Sequence, residues 1–282
     1  MPLVPMRGLL DKAQEGHYAV GAFNCNNMEI IQAIITAATA ENAPVIVQAS
    51  QGAIKYAGLE YITAMTKIAA QNTHVPVVLH IDHGTSFEQV MRCIREGFTS
   101  VMIDYSARPY EENVKGTREA VDYAHAHGAD VEAELGRLPN REGGGEAGQE
   151  RPEDLYTDPE LVPDYLRKTG VDALAIAFGT AHGIYKVKPV LNMDVITKVR
   201  EKTNIPLVMH GGSGISHEEY REVIRRGVNK INYYTYMSYA GYAAAKAHAE
   251  AQPAGFFHDM ALSAQKAMEE NALTTLKVFS NL

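Results

Sequence analysis

Tryptophan is absent from the 282 residues, and cysteine occurs only twice, at Cys25 and Cys93. Two cysteines cannot build a disulfide scaffold, and their separation fits no zinc-knuckle spacing, so a reducing cytoplasm is the expected compartment. The start, Met1-Pro2-Leu3-Val4-Pro5-Met6-Arg7, has no basic segment leading into a sustained apolar run, and no secretory leader is expected. Nor does any uninterrupted apolar stretch approach the roughly 18 residues of a spanning helix, which removes a membrane from the expected partners. Positive charge is in deficit: 26 Lys and Arg against 34 Asp and Glu leave a formal net charge of −8, which argues against a nucleic-acid partner. An acidic chain can still hold an anionic small molecule where a cation and backbone N–H groups build a local positive pocket.

What is present is an alternation. Apolar runs of strand length recur at Tyr18 to Phe23, Val45 to Ala49, Val75 to Ile81 and Ser100 to Asp104. They continue at Asp130 to Leu135, Ala173 to Phe178, Pro206 to Met209 and Lys230 to Tyr234. Helical spacings fill the intervals, among them Met28 to Glu41, Leu59 to Gln71, Ser86 to Glu96, Tyr110 to His127, Pro159 to Lys168, Met193 to Lys202 and Ser216 to Arg226. Two further helices, Ser238 to Ala251 and Met260 to Leu276, close the chain. Eight strands alternating with helices predict one (β/α)8 TIM barrel domain over residues 1–282, with extra C-terminal helices. A doubly wound open sheet competes, because strand count does not establish closure.

Polar residues end almost every strand: Asn24, Ser50, Asp82 with His83, Asp104, Glu134, His182, His210 and Asn232. A barrel would converge them on one mouth, whereas an open sheet would spread them along an edge. Residues 137–157 break the rhythm with Gly143, Gly144, Gly145 and Gly148, and are expected to form a mobile loop over that mouth.

Three of the apolar strands lead to a histidine followed by glycine, at His83-Gly84, His182-Gly183 and His210-Gly211. Three imidazoles with an open fourth position suit a catalytic zinc ion. Asp82 adjoins a ligand, so alternation along a strand points its side chain to a different side from His83, where it could exchange a proton with a substrate oxygen. A carboxylate that only orients an imidazole is the competing role. Asp104 and Glu134, at neighbouring strand ends, could hold a second divalent or monovalent cation, or be solvated carboxylates. Gly211-Gly212-Ser213-Gly214 and the segment Asn232-Tyr233-Tyr234-Thr235 follow strands seven and eight, where barrels often build a phosphate cup. Gly183 could add an N–H. A metal beside such a cup points to a phosphorylated sugar with a carbonyl or hydroxyl to polarise.

Together, Leu79-His80-Ile81-Asp82-His83-Gly84, Val131-Glu132-Ala133-Glu134-Leu135-Gly136, Gly179-Thr180-Ala181-His182-Gly183 and His210-Gly211-Gly212-Ser213-Gly214 resemble the class II, zinc-dependent ketose-bisphosphate aldolases. These are the fructose- and tagatose-1,6-bisphosphate aldolases, and the likeness spans nearly the whole chain. The resemblance implies zinc on His83, His182 and His210, and Asp82 as proton donor and acceptor at the aldehyde-derived oxygen. It implies dihydroxyacetone phosphate held by Gly183, Gly211, Gly212, Ser213 and Asn232 to Thr235, with Asn24 and Ser50 toward the aldehyde half. A loop glutamate would move the proton at the nucleophilic carbon, Glu142 by ungapped counting, with Glu146 its rival. It also implies a homodimer or homotetramer.

One departure concerns the substrate. Strand eight of the fructose-bisphosphate enzymes usually reads Asn-x-Asp-Thr-Asp-Ser-Arg, with the arginine reaching the far phosphate. Here the Asp is Tyr234 and the Arg is Ser238. A ketose 1-phosphate with a different aldehyde half therefore competes with the bisphosphate. A metal-dependent sugar-phosphate hydrolase or isomerase, and a sugar-phosphate-binding protein without turnover, are the readings from other classes.

Overall fold

The computed structural model describes residues 3–138, 155–185 and 188–280. Its eight strands are β1 Val20–Asn24, β2 Val45–Ser50, β3 Val77–Gly84, β4 Ser100–Ile103, β5 Asp130–Leu135, β6 Ala173–Ile176, β7 Leu207–Met209 and β8 Val228–Tyr233. All pair in parallel and in chain order, and β8 pairs back onto β1, so the barrel is closed and the open sheet is excluded. Around it lie α1 Arg7–Gly16, α2 Met28–Glu41, α3 Gln51–Ala57, α4 Leu59–Gln71, α5 Phe87–Glu96, α6 Tyr110–Ala126, α7 Val162–Thr169, α8 Met193–Lys202 and α9 His217–Arg225. A C-terminal pair, α10 Thr235–Ala251 and α11 Phe257–Phe279, packs back onto α2.

Local chemistry explains the helix limits. The Asn27 side chain accepts from Ile30 N–H to start α2, which ends at Asn42 in the left-handed region. Ser86 caps α5 and Gly97 stops it at φ 103°. At α9, Ser216 and Glu219 form a reciprocal capping box. Three differences from the sequence expectation bear on the site. The short helix α3 has too few residues to show a periodicity. Strand β3 runs on past Ile81 to Gly84, and α10 begins at Thr235, three residues before the expected Ser238.

The core has two shells. Outward-facing strand residues such as Val47, Leu79, Val101, Val131 and Leu174 pack against the helices. Inside the barrel, Val20, Ile46, Val78, Ala173 and Val208 make an apolar floor that α1 and the residue before it seal with Met6 and Leu10. Stepping two residues along each strand reaches the next inward-facing layer, and there the barrel turns polar: Gln48, His80, Ser100, Glu132 and Lys230 are all fully buried. Two residues further, Asn24, Ser50, Asp82, Glu134 and Asn232 reach the mouth, joined by Asp104 just past the end of β4. Among the described residues no helix is long and apolar enough to cross a membrane. Cys25 and Cys93 are buried free thiols.

Candidate active site

The mouth holds a cavity of about 660 Å³. Its central feature is a kink in β3. His83 has φ 54°, a left-handed conformation that a residue with a Cβ rarely adopts, and the pairing with β4 shifts register between Ile81 and Gly84. Gly84 is needed beside it, because a Cβ there would lie 2.6 Å from the Met102 carbonyl oxygen. In a regular strand Asp82 and His83 would point to opposite faces. The kink overturns that expectation and turns both into the cavity, with Asp82 Oδ1 3.9 Å from His83 Nε2.

His83, His182 and His210 come together as expected, with ligand-capable atoms all within 4.8 Å of one another. Their hydrogen bonds decide which nitrogens face inward. His83 Nδ1 lies 2.7 Å from Asp104 Oδ2, and His210 Nε2 lies 2.7 Å from Glu132 Oε1. Ionised carboxylates only accept, so each of these nitrogens donates. The opposite nitrogens, His83 Nε2 and His210 Nδ1, face each other at 2.8 Å. Two lone pairs cannot sit there without a proton or a cation between them, and neutral imidazoles oriented by carboxylates are the donor set of a divalent metal site. The residues therefore fit a metal. Without one, burial works against a charged His83, but the Asp82 charge and the Asp104 hydrogen bond push it up to about 10. Burial and the His83 charge bring His182 down to about 4 and hold His210 well below the usual range.

Asp82 is held on both oxygens. Asn24 Nδ2 donates to Oδ2 at 2.7 Å and Asn232 Nδ2 to Oδ1 at 3.1 Å. Burial works against its ionisation, yet the charges of His83, His210 and Lys230 and the Asn24 hydrogen bond keep its carboxyl below the usual range. Asp82 is thus an ionised base aimed across the cavity. Asn24, expected at the substrate, also serves to hold Asp82, and Gln48 Nε2 fixes its amide in turn at 2.8 Å.

Asp104 and Glu134 do meet His83 in a second group of ligand-capable atoms. Asp104 is already engaged on both oxygens, by His83 on Oδ2 and by the Ser106 amide and hydroxyl on Oδ1. That makes it the orienting carboxylate for His83. Burial, then the Asp104 charge, push Glu134 up to about 8, and its Oε2 has no hydrogen-bond partner among the described residues.

The glycine segment forms the opposite wall. Gly211 has φ 62°, and a Cβ there would lie 2.5 Å from the Ala181 carbonyl oxygen, so only glycine allows the loops after β6 and β7 to touch. Ser213 Oγ accepts from the N–H groups of Tyr234 and Thr235 at 3.0 and 3.1 Å, at the start of α10. The earlier start of α10 brings its N-terminal amides to the cavity, where they and Gly183, Gly211 and Gly212 can receive an anion. Tyr233 is among the residues that line the cavity, but not with its ring. Its ring packs edge-on against Phe23 and its phenol meets Thr275 and Asn271 of α11, so alternation along β8 sends this side chain away from the cavity. Tyr234 returns to the cavity, and its hydroxyl accepts from Asn26 Nδ2 at 3.0 Å. Ser50 lines the cavity and also caps α3, accepting from Ala53 N–H. Glu142 and Glu146 lie outside the described residues.

Sequence reasoning missed several contributors. Gln51 Nε2 donates to the His83 carbonyl at 2.9 Å and to Thr85 Oγ1 at 2.8 Å, bracing the kink. The Tyr185 hydroxyl accepts from Ala181 N–H and donates to the Gly211 carbonyl, tying the His182 loop to the glycine loop. Glu132 entered only within the Val131 to Gly136 motif, and Lys230 only as the first residue of an expected strand. An inward-facing charge on a barrel strand was the available signal for both.

A family model described as class II fructose-bisphosphate aldolase matches residues 4–281. A fructose-bisphosphate aldolase from Geobacillus stearothermophilus is 46% identical over 235 residues, 82% of this chain and 80% of that protein. One from Staphylococcus aureus is 45% identical over 235 residues, 82% of this chain and 81% of that protein. Among solved structures, the YdjI aldolase from Escherichia coli K12 superposes with a TM-score of 0.86 at 34% identity, covering 98% of this chain and 97% of that one.

Proposed function

The chain belongs to the class II fructose-bisphosphate aldolase family and is an aldolase, a lyase of carbohydrate metabolism. From that premise we propose that it reversibly cleaves a ketose 1,6-bisphosphate of the fructose or tagatose type to dihydroxyacetone phosphate and glyceraldehyde 3-phosphate. We assign zinc as the metal, on His83, His182 and His210, and a reducing cytoplasm as the place of action. The observation that carries this reading is the pair of bare imidazole nitrogens, His83 Nε2 and His210 Nδ1, facing each other beside a doubly held Asp82.

A divalent cation supplies Lewis-acid polarisation of the ketone and stabilises the charge released as the carbon–carbon bond breaks. The chain's own residues do the rest. Asp82 takes the proton from the substrate C4 hydroxyl during cleavage and returns it to the aldehyde oxygen during condensation. Asn24 and Asn232 keep its oxygens aimed. Ser213 and the amides of Gly183, Gly211, Gly212 and the α10 N-terminus hold the phosphate of the dihydroxyacetone half. Glu134, whose Oε2 lacks a hydrogen-bond partner among the described residues, is with Asp104 our candidate for a second cation position, His83 being committed to the first.

On this reading the sugar runs from the glycine cup past His83, His182 and His210 to Asp82, and the aldehyde half reaches β1, β2 and the Tyr234–Asn26 pair. Incubation with fructose and tagatose 1,6-bisphosphates is expected to yield dihydroxyacetone phosphate and no inorganic phosphate. Phosphate release without dihydroxyacetone phosphate would make the protein a hydrolase instead. Because the Tyr234 hydroxyl accepts from Asn26, its proton is available to a substrate oxygen. In the same assay Tyr234→Phe is expected to lower kcat/KM about tenfold, the worth of one such hydrogen bond. Solvent exchange of the dihydroxyacetone phosphate C3 proton, which needs no aldehyde, should continue at the wild-type rate, and an equal loss in both would put Tyr234 on the wrong half.

We also propose self-association as a dimer or tetramer through the C-terminal helices and their connection, where Tyr239, Tyr242, Phe256, Phe257 and Leu262 are exposed. Sedimentation equilibrium is expected to give a multiple of 30.9 kDa; a monomer at micromolar concentration refutes it.

A further inference from the structure

Among the described residues Lys230 is the only buried lysine, and its side chain is wholly inside the barrel. Taking an ammonium out of water is costly unless geometry and partners compensate. Both partners here lead to the reacting centre. Lys230 Nζ lies 2.9 Å from Glu132 Oε2 and 2.7 Å from Asn232 Oδ1.

The first branch runs to a histidine of the triad. Glu132 faces Lys230 through one oxygen and His210 Nε2 through the other, at 2.7 Å. Its carboxylate is therefore clamped, and the clamp fixes the His210 tautomer that leaves Nδ1 bare toward His83. The second branch runs to the base. An ammonium only donates, so it demands the oxygen of the Asn232 amide and forbids the flipped orientation. That choice points Asn232 Nδ2 at Asp82 Oδ1. We infer that Lys230 is a positioning residue that sets the metal ligand His210 through Glu132 and the proton-transfer group Asp82 through Asn232 from one buried point.

A lysine that only filled space would be replaced by methionine without consequence for either branch. Lys230→Met keeps the length and removes the ammonium. Zinc affinity, measured by competition with a chromophoric chelator and no substrate present, is expected to fall about 10- to 100-fold, as for other groups that orient a metal-bound imidazole. At saturating zinc, kcat is expected to remain at least about tenfold down, because the Asn232 branch is also lost.

Glu132→Gln is the companion variant, nearly isosteric, and it decides the metal branch if Lys230→Met does not fold. It should weaken zinc binding by a similar factor while keeping most of kcat at saturating zinc. Folded variants that both bind zinc with wild-type affinity overturn the inference. The turnover arm rests on the aldolase reading and the metal arm does not. Variants that lose zinc affinity while the wild type releases no dihydroxyacetone phosphate would overturn that reading and support the metal branch of this one.

Discussion

Asp82→Ala is expected to lower turnover by about 10²- to 10⁴-fold, the range for loss of a positioned general acid–base, while zinc content stays at the wild-type level. Asp82 stands beside the imidazole triad rather than within it, 3.9 Å from His83 Nε2. Its oxygens are occupied by the amides of Asn24 and Asn232, which orient a base and leave the three histidines to hold the cation. Because kcat and the proton-transfer step fall together, KM should change little by comparison. Metal analysis alongside steady-state kinetics separates the alternatives. If zinc is lost with the activity, Asp82 belongs to the ligand set and its assignment as the base is wrong.

Removal of the metal by a chelator is expected to abolish cleavage, and added zinc to restore it. Stability should change too, and in a pH-dependent way. In the chelated protein, a proton on His83 takes the place of the cation between His83 and His210. Burial works against a charge on His83, but Asp82 and then Asp104 hold it up at about 10 in the folded protein, against an ordinary 6.5. A raised folded value stabilises fully below pH 6.5 and loses that contribution as pH climbs through about 10. Asp82 and Asp104 are depressed, so their contribution is present above the usual carboxylate range and fades as pH falls below it.

The Tm of the chelated protein should therefore drop by several degrees between pH 6.5 and 10, with each kcal/mol worth about 2–4 °C in a chain of this size. The zinc-loaded protein should hold its Tm over that interval, because the cation binds the neutral imidazoles that the proton would otherwise charge, and ligand binding adds its own stability. A flat profile for the chelated protein would show that the two imidazoles do not share a proton.

Much of this was legible in the amino-acid order. Alternating apolar runs and helical spacings defined eight strands and the helices between them, because such periodicity is local. Polar residues at the strand ends carried the mouth, and the His-Gly pairs carried the triad. Closure was different. It depends on β8 finding β1 more than two hundred residues away, through hydrogen bonds that no local pattern encodes.

The tertiary structure alone also decided the direction of the key side chains. Strand alternation sends Asp82 and His83 apart, and only the left-handed backbone at His83, braced by Gln51 and allowed by Gly84, brings both to the cavity. By the same rule Tyr233 is carried away to α11 while Asn232 and Tyr234 turn inward. The buried row of Gln48, His80, Glu132 and Lys230 was invisible as a unit, since its members lie on strands far apart in sequence. The residue types fixed which groups could bind a metal or carry a proton. Which nitrogen stays bare, and which carboxylate is base or support, follows from contacts that exist only once the barrel has closed, because a hydrogen bond depends on distance and direction in space.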